Sequence, residues 1–241
     1  MNLFDGDEFI RAWRIVHREG DPVEVRIFSQ NKREGVLSGY FTDPERAADA
    51  LDKINLSGRT VTWTINRLHP GCYARLQREK LLAVSPTTAD GDVIQRLWLP
   101  IDIDADRPSG CSASEEERLA AVNLAVKMAE TLTAEGWPEP LKIYSGNGAH
   151  LFFPMDAENN KNDLKRGADI VNACLVSLAR RFDSRSVHID TTVSNAARIM
   201  KCPGTTACKG SHAPDLGRPW RMARLFEDCV DYVRPEEVVT L

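Results

Sequence analysis

The chain contains no C-x-x-C pair, no G-x-x-x-x-G-K-[ST] loop and no apolar run of membrane-spanning length, and its N-terminal third has no repeat and no low-complexity segment. Each absence excludes a class. The six cysteines, Cys72, Cys111, Cys174, Cys202, Cys208 and Cys229, are scattered, which fits reduced thiols in a cytosol better than a disulfide framework. The missing phosphate loop removes any recognisable helicase motor. The opening Met1-Asn-Leu-Phe-Asp-Gly-Asp-Glu8 has no basic segment leading into an apolar one, so a soluble, cytoplasmic protein with no membrane partner is expected. Positive charge is also short. The 31 Lys and Arg against 35 Asp and Glu give a net charge of −4, so the molecule as a whole lacks the electrostatic footprint of a nucleic-acid binder.

What is present is enough material for a large core: 241 residues, 42% of them hydrophobic, sufficient for one domain or two intimate modules. One compact catalytic unit is expected. Charge is unevenly spread. Between Ala196 and Arg224 six basic residues face a single acid, Asp215, so this stretch carries five net positive charges and the remainder nine negative ones. Such a segment suits a phosphate-binding surface, and it equally describes a solvated face.

Apolar spacing predicts a helix from about Asp7 to His17, on Phe9, Ile10, Trp13 and Val16, followed by strands over Val23 to Phe28 and Val36 to Phe41. Asp43-Pro44 opens a second helix running to about Leu51, and Val61 to Ile65 alternates as a strand. Ser114 and the acids Glu115 to Glu117 start a third helix that Gly136 and Pro138 stop. Leu141 to Tyr144 and His150 to Phe153 read as paired strands around a glycine-bearing turn. A fourth helix carries Leu164, Ala168, Val171, Leu175, Leu178 and Phe182 on one face. This order describes a sheet with helices packed on a face.

The chemistry concentrates in Leu99-Pro-Ile-Asp-Ile-Asp-Ala-Asp106. Ile101 and Ile103 mark a buried strand face, so Asp102 and Asp104 share the other, about 6.5 Å apart along the backbone. Their oxygens can converge on divalent cations near the strand end, which Pro108 and Gly110 terminate. A calcium loop is excluded, because its sixth and twelfth positions, Gly and Glu, are Arg107 and Ala113 here. A solvated strand end that binds nothing explains the same string.

Ser145-Gly-Asn-Gly-Ala-His150 occupies the predicted turn. Its glycines let backbone amides approach an anion and His150 can donate to a phosphate, although a polar hairpin ending in a structural histidine reads identically. Val187-His-Ile-Asp190 supplies a third acid, and Arg198 follows eight residues later. Asp190 would complete the ligand set of two-metal phosphoryl chemistry. It could also cap a turn, and Arg198 could pair with a surface acid. Cys202, Cys208 and His212 are too irregularly spaced to argue zinc, and free thiols are favoured.

Taken together, the D-x-D, the glycine turn ending in His150, Asp190 and the trailing Arg198-Ile-Met-Lys-Cys-Pro-Gly-Thr205 with Lys209-Gly210 resemble, in that order, the catalytic core of the archaeo-eukaryotic primase superfamily, particularly the primase-polymerases of mobile elements. Gly39-Tyr-Phe, Trp63-Thr-Ile-Asn66 and Arg218-Pro-Trp-Arg221 are similar to such modules as well. In one respect the chain departs: many members carry Ser two residues before the histidine, where this chain has Gly148, with Ser145 further upstream. The turn is therefore expected to work through backbone amides.

The resemblance implies an α/β (α+β) architecture, with an N-terminal α/β unit (about residues 1–90) packed with an RRM-like catalytic module (about 91–241) and the active site between them. It implies template-directed nucleotidyl transfer on single-stranded DNA template and primer. Asp102, Asp104 and Asp190 would be catalytic and hold two Mg²⁺ or Mn²⁺ ions. His150 and Arg198, with Ser145, Asn147, Gly148, Lys201 and Lys209, would bind the NTP or dNTP. Arg218, Arg221 and Arg224 would contact DNA, and a helicase or other replication protein is a candidate partner. Two other classes compete: a non-catalytic replication-initiator module, and a metal-dependent nuclease or phosphohydrolase.

Overall fold

Four capped α-helices, two large antiparallel sheets and a two-stranded ribbon make up the computed structural model, which describes residues 2–75, 78–83 and 87–226; Cys229 lies outside them. Asp5 accepts from the Glu8 N–H and starts α1 (Gly6–Val16), which buries Phe9, Ala12, Trp13 and Val16 at helical spacing. Asp43 accepts from the N–H groups of Glu45 and Arg46 to start α2 (Pro44–Asp52). Ser114 and Glu117 form a reciprocal capping box at α3 (Glu115–Ala134). Asp163 caps α4 (Leu164–Phe182), whose inner face is Val171, Leu175, Leu178 and Phe182. No described helix is long and apolar enough to cross a membrane.

The strands are β1 (Val23–Ser29), β2 (Val36–Phe41), β3 (Arg59–Thr64), β4 (Arg67–Leu68), β5 (Leu82–Ala83), β6 (Val93–Ala105), β7 (Leu141–Tyr144), β8 (Ala149–Glu158), β9 (Val187–Ile189), β10 (Ile199–Lys201), β11 (Thr206–Ala207), β12 (Arg221–Met222) and β13 (Arg224–Leu225). The first large sheet has the order β10-β3-β1-β2-β5, the second β13-β7-β8-β6-β4 with β9 also on β6, and β11 pairs with β12 as a separate ribbon. In the second sheet β6-α3-β7-β8-α4-β9 is a β-α-β-β-α-β unit with spatial order β9-β6-β8-β7, the RRM-like arrangement that the sequence resemblance implied. The sheets trade strands. β4 belongs to the second, whereas β10, late in the chain, returns to the edge of the first, so a cut near residue 90 does not separate the layers.

Both β6 and β8 run longer than apolar alternation suggested, because Pro100 and Pro154 interrupt the pattern. Pro100 is tolerated because the edge of β6 facing β4 and β9 is paired only at Val93 to Gln95 and at Ile103 to Ala105. In the gap the Leu97 N–H donates to Asn66 Oδ1 at 2.9 Å.

Alternation sends the two faces of the second sheet into different cores. Leu99, Ile101, Ile103, Leu151 and Phe153 pack on α3 and α4. Ile143 and Phe152, with Trp98 beside them, pack on α1, α2, β1 and β3. Asp102, Asp104 and His150 occupy this second face by strand alternation. They stand where that core gives out, between the two sheets.

Candidate active site

The acidic wall of the site comes from β6. Asp102 pairs across the ladder with His150 of β8, and His150 Nε2 lies 3.3 Å from Asp102 Oδ1 while its ring stacks over Phe152. Desolvation works to raise the Asp102 carboxyl, but the charge and hydrogen bond of His150, with the charges of Arg107 and Arg198, outweigh it and hold the group below the usual carboxylate range. Asp104 is gripped by both terminal nitrogens of Arg107, at 3.0 and 3.2 Å.

Asp190 arrives beside this pair through the backbone. Its N–H donates to the Asp102 carbonyl at 2.9 Å, one step beyond the β9 register in which Asp104 faces His188. Its carboxylate accepts from the N–H and hydroxyl of Thr192, at 2.8 and 2.7 Å, as in a turn cap. Arg198 donates to the Thr192 carbonyl at 2.7 Å. The Asp190 and Arg198 side chains thus close the same loop, and neither lines the cleft that Asp102 and Asp104 line.

The turn at 145–148 is fixed from three sides. Ser145 and Gly148 exchange two bonds, the Ser145 N–H to the Gly148 carbonyl and the Gly148 N–H to Ser145 Oγ, each at 3.0 Å. Asn147 Oδ1 accepts from the Ala113 N–H at 2.8 Å. Gly146 has φ 95°, and a Cβ there would lie 2.6 Å from Ala207 Cβ. The position of Gly148 has no room for a side chain: a Cβ there would stand 2.2 Å from the Ile103 carbonyl oxygen and 2.8 Å from Asp104 Oδ1. Among the described residues the N–H groups of Gly146 and Asn147 have no acceptor.

The opposite wall is built by Phe28, Ser29, Gln30 and Thr60 of the first sheet's end, with Lys201 and the segment Ala207 to Gly210; the open cleft between the walls is about 490 Å³, within the roughly 300–1,000 Å³ of small-ligand sites. Lys201 is buried, and desolvation pushes its ammonium down to about 8 against the opposing pull of Cys202 and Cys208; Nζ donates to the Thr206 carbonyl at 2.9 Å. Exposed Lys209 is placed by its neighbours: Gln30 donates to the carbonyls of Cys208 and Gly210, Ser112 to that of Lys209, and Trp220 to that of Gly210.

The other basic candidates stand away from the cleft lining and are already paired. Arg218 binds both oxygens of Glu117 and the Ser112 carbonyl, all at 2.8 Å. Arg221 reaches the Ala113 carbonyl and Glu115, and Arg224 reaches Asp5. Cys202 and Cys208 are buried thiols, while His212 Nδ1 accepts from the Trp220 N–H. Sequence reasoning missed Arg107, Gln30, Phe28 and Thr60. Only Arg107, three residues beyond Asp104, left a trace in the chain, as the residue that spoiled the calcium loop.

Neither a family model nor a curated protein matches this chain. Its coordinates match the AEP domain of the cyanophage S-2L primase-polymerase with a TM-score of 0.52 and 13% identity, over 98% of this chain and 97% of that one. The chain has the archaeo-eukaryotic primase fold. Lower-scoring matches are primase RepB′ (TM-score 0.48, 13% identity, 91% of this chain and 55% of that one) and the polymerase domain of Mycobacterium tuberculosis ligase D in complex with DNA (0.44, 15%, 86% and 76%).

Within this primase fold the carboxylates fit one kind of metal site and not another. Among the described residues no three His, Cys, Asp or Glu side chains group closely enough to hold an ion between them, so a closed protein cage is absent there. Two cleft-lining carboxylates are nevertheless hard oxygen donors of the type Mg²⁺ and Mn²⁺ take, and Mg²⁺ is usually held by one or two carboxylates plus substrate phosphates. Arg107 pairs with Asp104 and His150 Nε2 stands 3.3 Å from Asp102, so a cation bound to these carboxylates would share them with those two groups.

Proposed function

We propose that this chain is a template-directed nucleotidyltransferase, a DNA primase-polymerase that makes or extends primers on single-stranded DNA. One observation carries the reading: a single cleft sets Asp102 and Asp104 on one wall against Lys201 and Lys209 on the other, which is the charge arrangement a triphosphate and its counter-ions require. The reaction joins a 3′-hydroxyl oxygen to the α-phosphorus of the incoming nucleotide as the bond to pyrophosphate breaks, and the hydroxyl proton is released. Two Mg²⁺ or Mn²⁺ ions held by Asp102 and Asp104, with Asp190 as third ligand, would ease loss of that proton and neutralise the leaving pyrophosphate.

The chain's own residues do the positioning. Asp190 reaches such a site by turning from Thr192, since its backbone is already joined to Asp102. Lys201 and Lys209 draw the phosphates, and the amides of Gly146 and Asn147, with Ser145 and Gly148 bracing the turn, offer donors to an oxyanion. His150 holds Asp102 through Nε2, and a phosphate oxygen would take that N–H from Asp102, because Nδ1 is buried out of reach. Arg198 keeps the Asp190 loop closed. Arg218, Arg221 and Arg224 contact template in this reading by trading Glu117, Glu115 and Asp5 for phosphates.

The test is incubation with single-stranded template, primer and labelled nucleotides in Mg²⁺ or Mn²⁺. Wild-type protein should lengthen the primer, and Asp102→Asn should lose at least about 100-fold in rate with an unchanged melting temperature. Undiminished extension by the variant removes the assignment. Shortened strands would replace polymerisation by hydrolysis, and metal-independent binding without turnover would reduce the chain to a binding module.

A further inference from the structure

Arg107 is the strongest group in the cleft without a role so far. Its side chain is only 8% exposed whereas that of Asp104 is 46% exposed, so the arginine is the fixed partner and the carboxylate the accessible one. Both Nη atoms are committed to Asp104, and among the described residues the only other acceptor bonded is the Ala105 carbonyl at 3.5 Å. Arg107 also helps keep Asp102 ionised.

We propose that Arg107 is a built-in counter-cation of the acidic pair that couples entry of the divalent cation to entry of the nucleoside triphosphate, an inference that rests on the nucleotidyltransferase reading. A divalent cation on Asp104 competes for the oxygens that Arg107 holds and brings two positive charges beside a buried third. The cation alone therefore binds weakly. A triphosphate reverses the balance, because a guanidinium displaced from Asp104 finds a second bidentate acceptor in phosphate oxygens. Arg107 lines the same cleft as Lys201 and Lys209, so phosphates that those lysines draw in from the opposite wall enter the space it faces. Metal and nucleotide then raise each other's affinity by one common factor.

The experiment titrates the full chain with Mn²⁺, with and without a triphosphate analogue whose α–β bridge cannot be cleaved. Free Mn²⁺ is read by electron paramagnetic resonance, and the analogue's own Mn²⁺ binding is subtracted. For wild type the analogue should tighten Mn²⁺ binding by about tenfold or more. Arg107→Gln should bind Mn²⁺ alone roughly tenfold more tightly than wild type and gain less than about threefold from the analogue. Arg107→Lys keeps the charge without the fork, so Mn²⁺ alone should bind it as weakly as wild type. Arg107→Lys as tight as Arg107→Gln overturns the proposal, as does a folded Arg107→Gln that matches wild type in both titrations; the metal site itself would survive either result. If wild type binds no Mn²⁺ under either condition, the nucleotidyltransferase reading falls and this inference with it.

Discussion

Replacing Gly148 by alanine places one methyl group between the β7–β8 turn and β6, and the consequences can be worked from distances. The new Cβ would sit 2.2 Å from the Ile103 carbonyl oxygen and 2.8 Å from Asp104 Oδ1. Carbon–oxygen contacts of about 3.3 Å are the closest ordinarily seen, so the turn must retreat by roughly 1 Å. The obstacle cannot yield by a rotamer change, because the Ile103 carbonyl belongs to a strand paired on both sides, with Ala149 and with Ile189. Overpacking of this kind costs about 1–3 kcal/mol. Loss of glycine's freedom in the unfolded chain works the other way by about 0.4–1 kcal/mol, so the steric term wins and a net loss of about 1–2 kcal/mol remains. For a chain of this length that lowers Tm by about 2–8 °C. The larger effect falls on the site, since a displacement of about 1 Å between reacting groups can cost roughly 100-fold in rate. Thermal denaturation and primer extension of Gly148→Ala measure the two effects, with Gly91→Ala as control, where a Cβ meets only Leu164 Cδ1 at 3.9 Å. A Gly148→Ala protein that melts at or above wild type would refute the packing argument. One that melts lower yet polymerises normally would detach the turn from the chemistry.

Two further outcomes follow from buried bases. Burial pushes Lys201 from its ordinary 10.5 down to about 8. Below pH 8 both folded and unfolded chains carry its proton and the burial penalty is fully felt; between about 8 and 10.5 only the unfolded chain keeps it, so stability should rise with pH across that window. Lys201→Met should abolish the rise in urea-denaturation midpoints. It should also flatten the fall in triphosphate-analogue affinity that wild type shows above pH 8. His17 is pushed from 6.5 to about 3 by desolvation, with its ring 5.0 Å from those of Trp13 and Trp63. As pH falls from 6.5 toward 3 the unfolded chain takes up a proton that the folded one refuses, and stability is lost. His17→Phe should remove that share of the acid sensitivity, and an unchanged slope in the same denaturation series would contradict it.

Capping and periodicity made much of the scaffold legible. Asp43, Ser114 and the apolar stripe from Val171 to Phe182 place their helices within a residue or two, because a cap and the face it introduces are local and act without tertiary help. Strand lengths were less readable. Pro100 and Pro154 look like terminators until the ladder shows that the β6 edge beside Pro100 is unpaired there. The acidic face of β6 was predictable for the same local reason, since Asp102 and Asp104 follow from the alternation of Ile101 and Ile103.

The second wall of the cleft was illegible because it is written in four segments that meet only in three dimensions. Phe28 to Gln30 come from the end of β1, Thr60 from β3, Lys201 from β10 and Lys209 from a loop. Nothing in the string at Gln30 signals that its amide holds the backbone 178 and 180 residues away. Charge counted along a chain also does not reveal its partners. Arg218, Arg221 and Arg224 spend their charge on Glu117, Glu115 and Asp5, and the first two thereby fasten the start of α3 to the β12 region. The positive charges that line the cleft are instead Arg107, Lys201 and Lys209, drawn from three separate parts of the chain. The physical difference is location relative to the acids. Arg218, Arg221 and Arg224 stand outside the cleft and must give up their acids before they meet a phosphate, whereas Arg107 is bound to a carboxylate inside the cleft, where an incoming phosphate can compete for it.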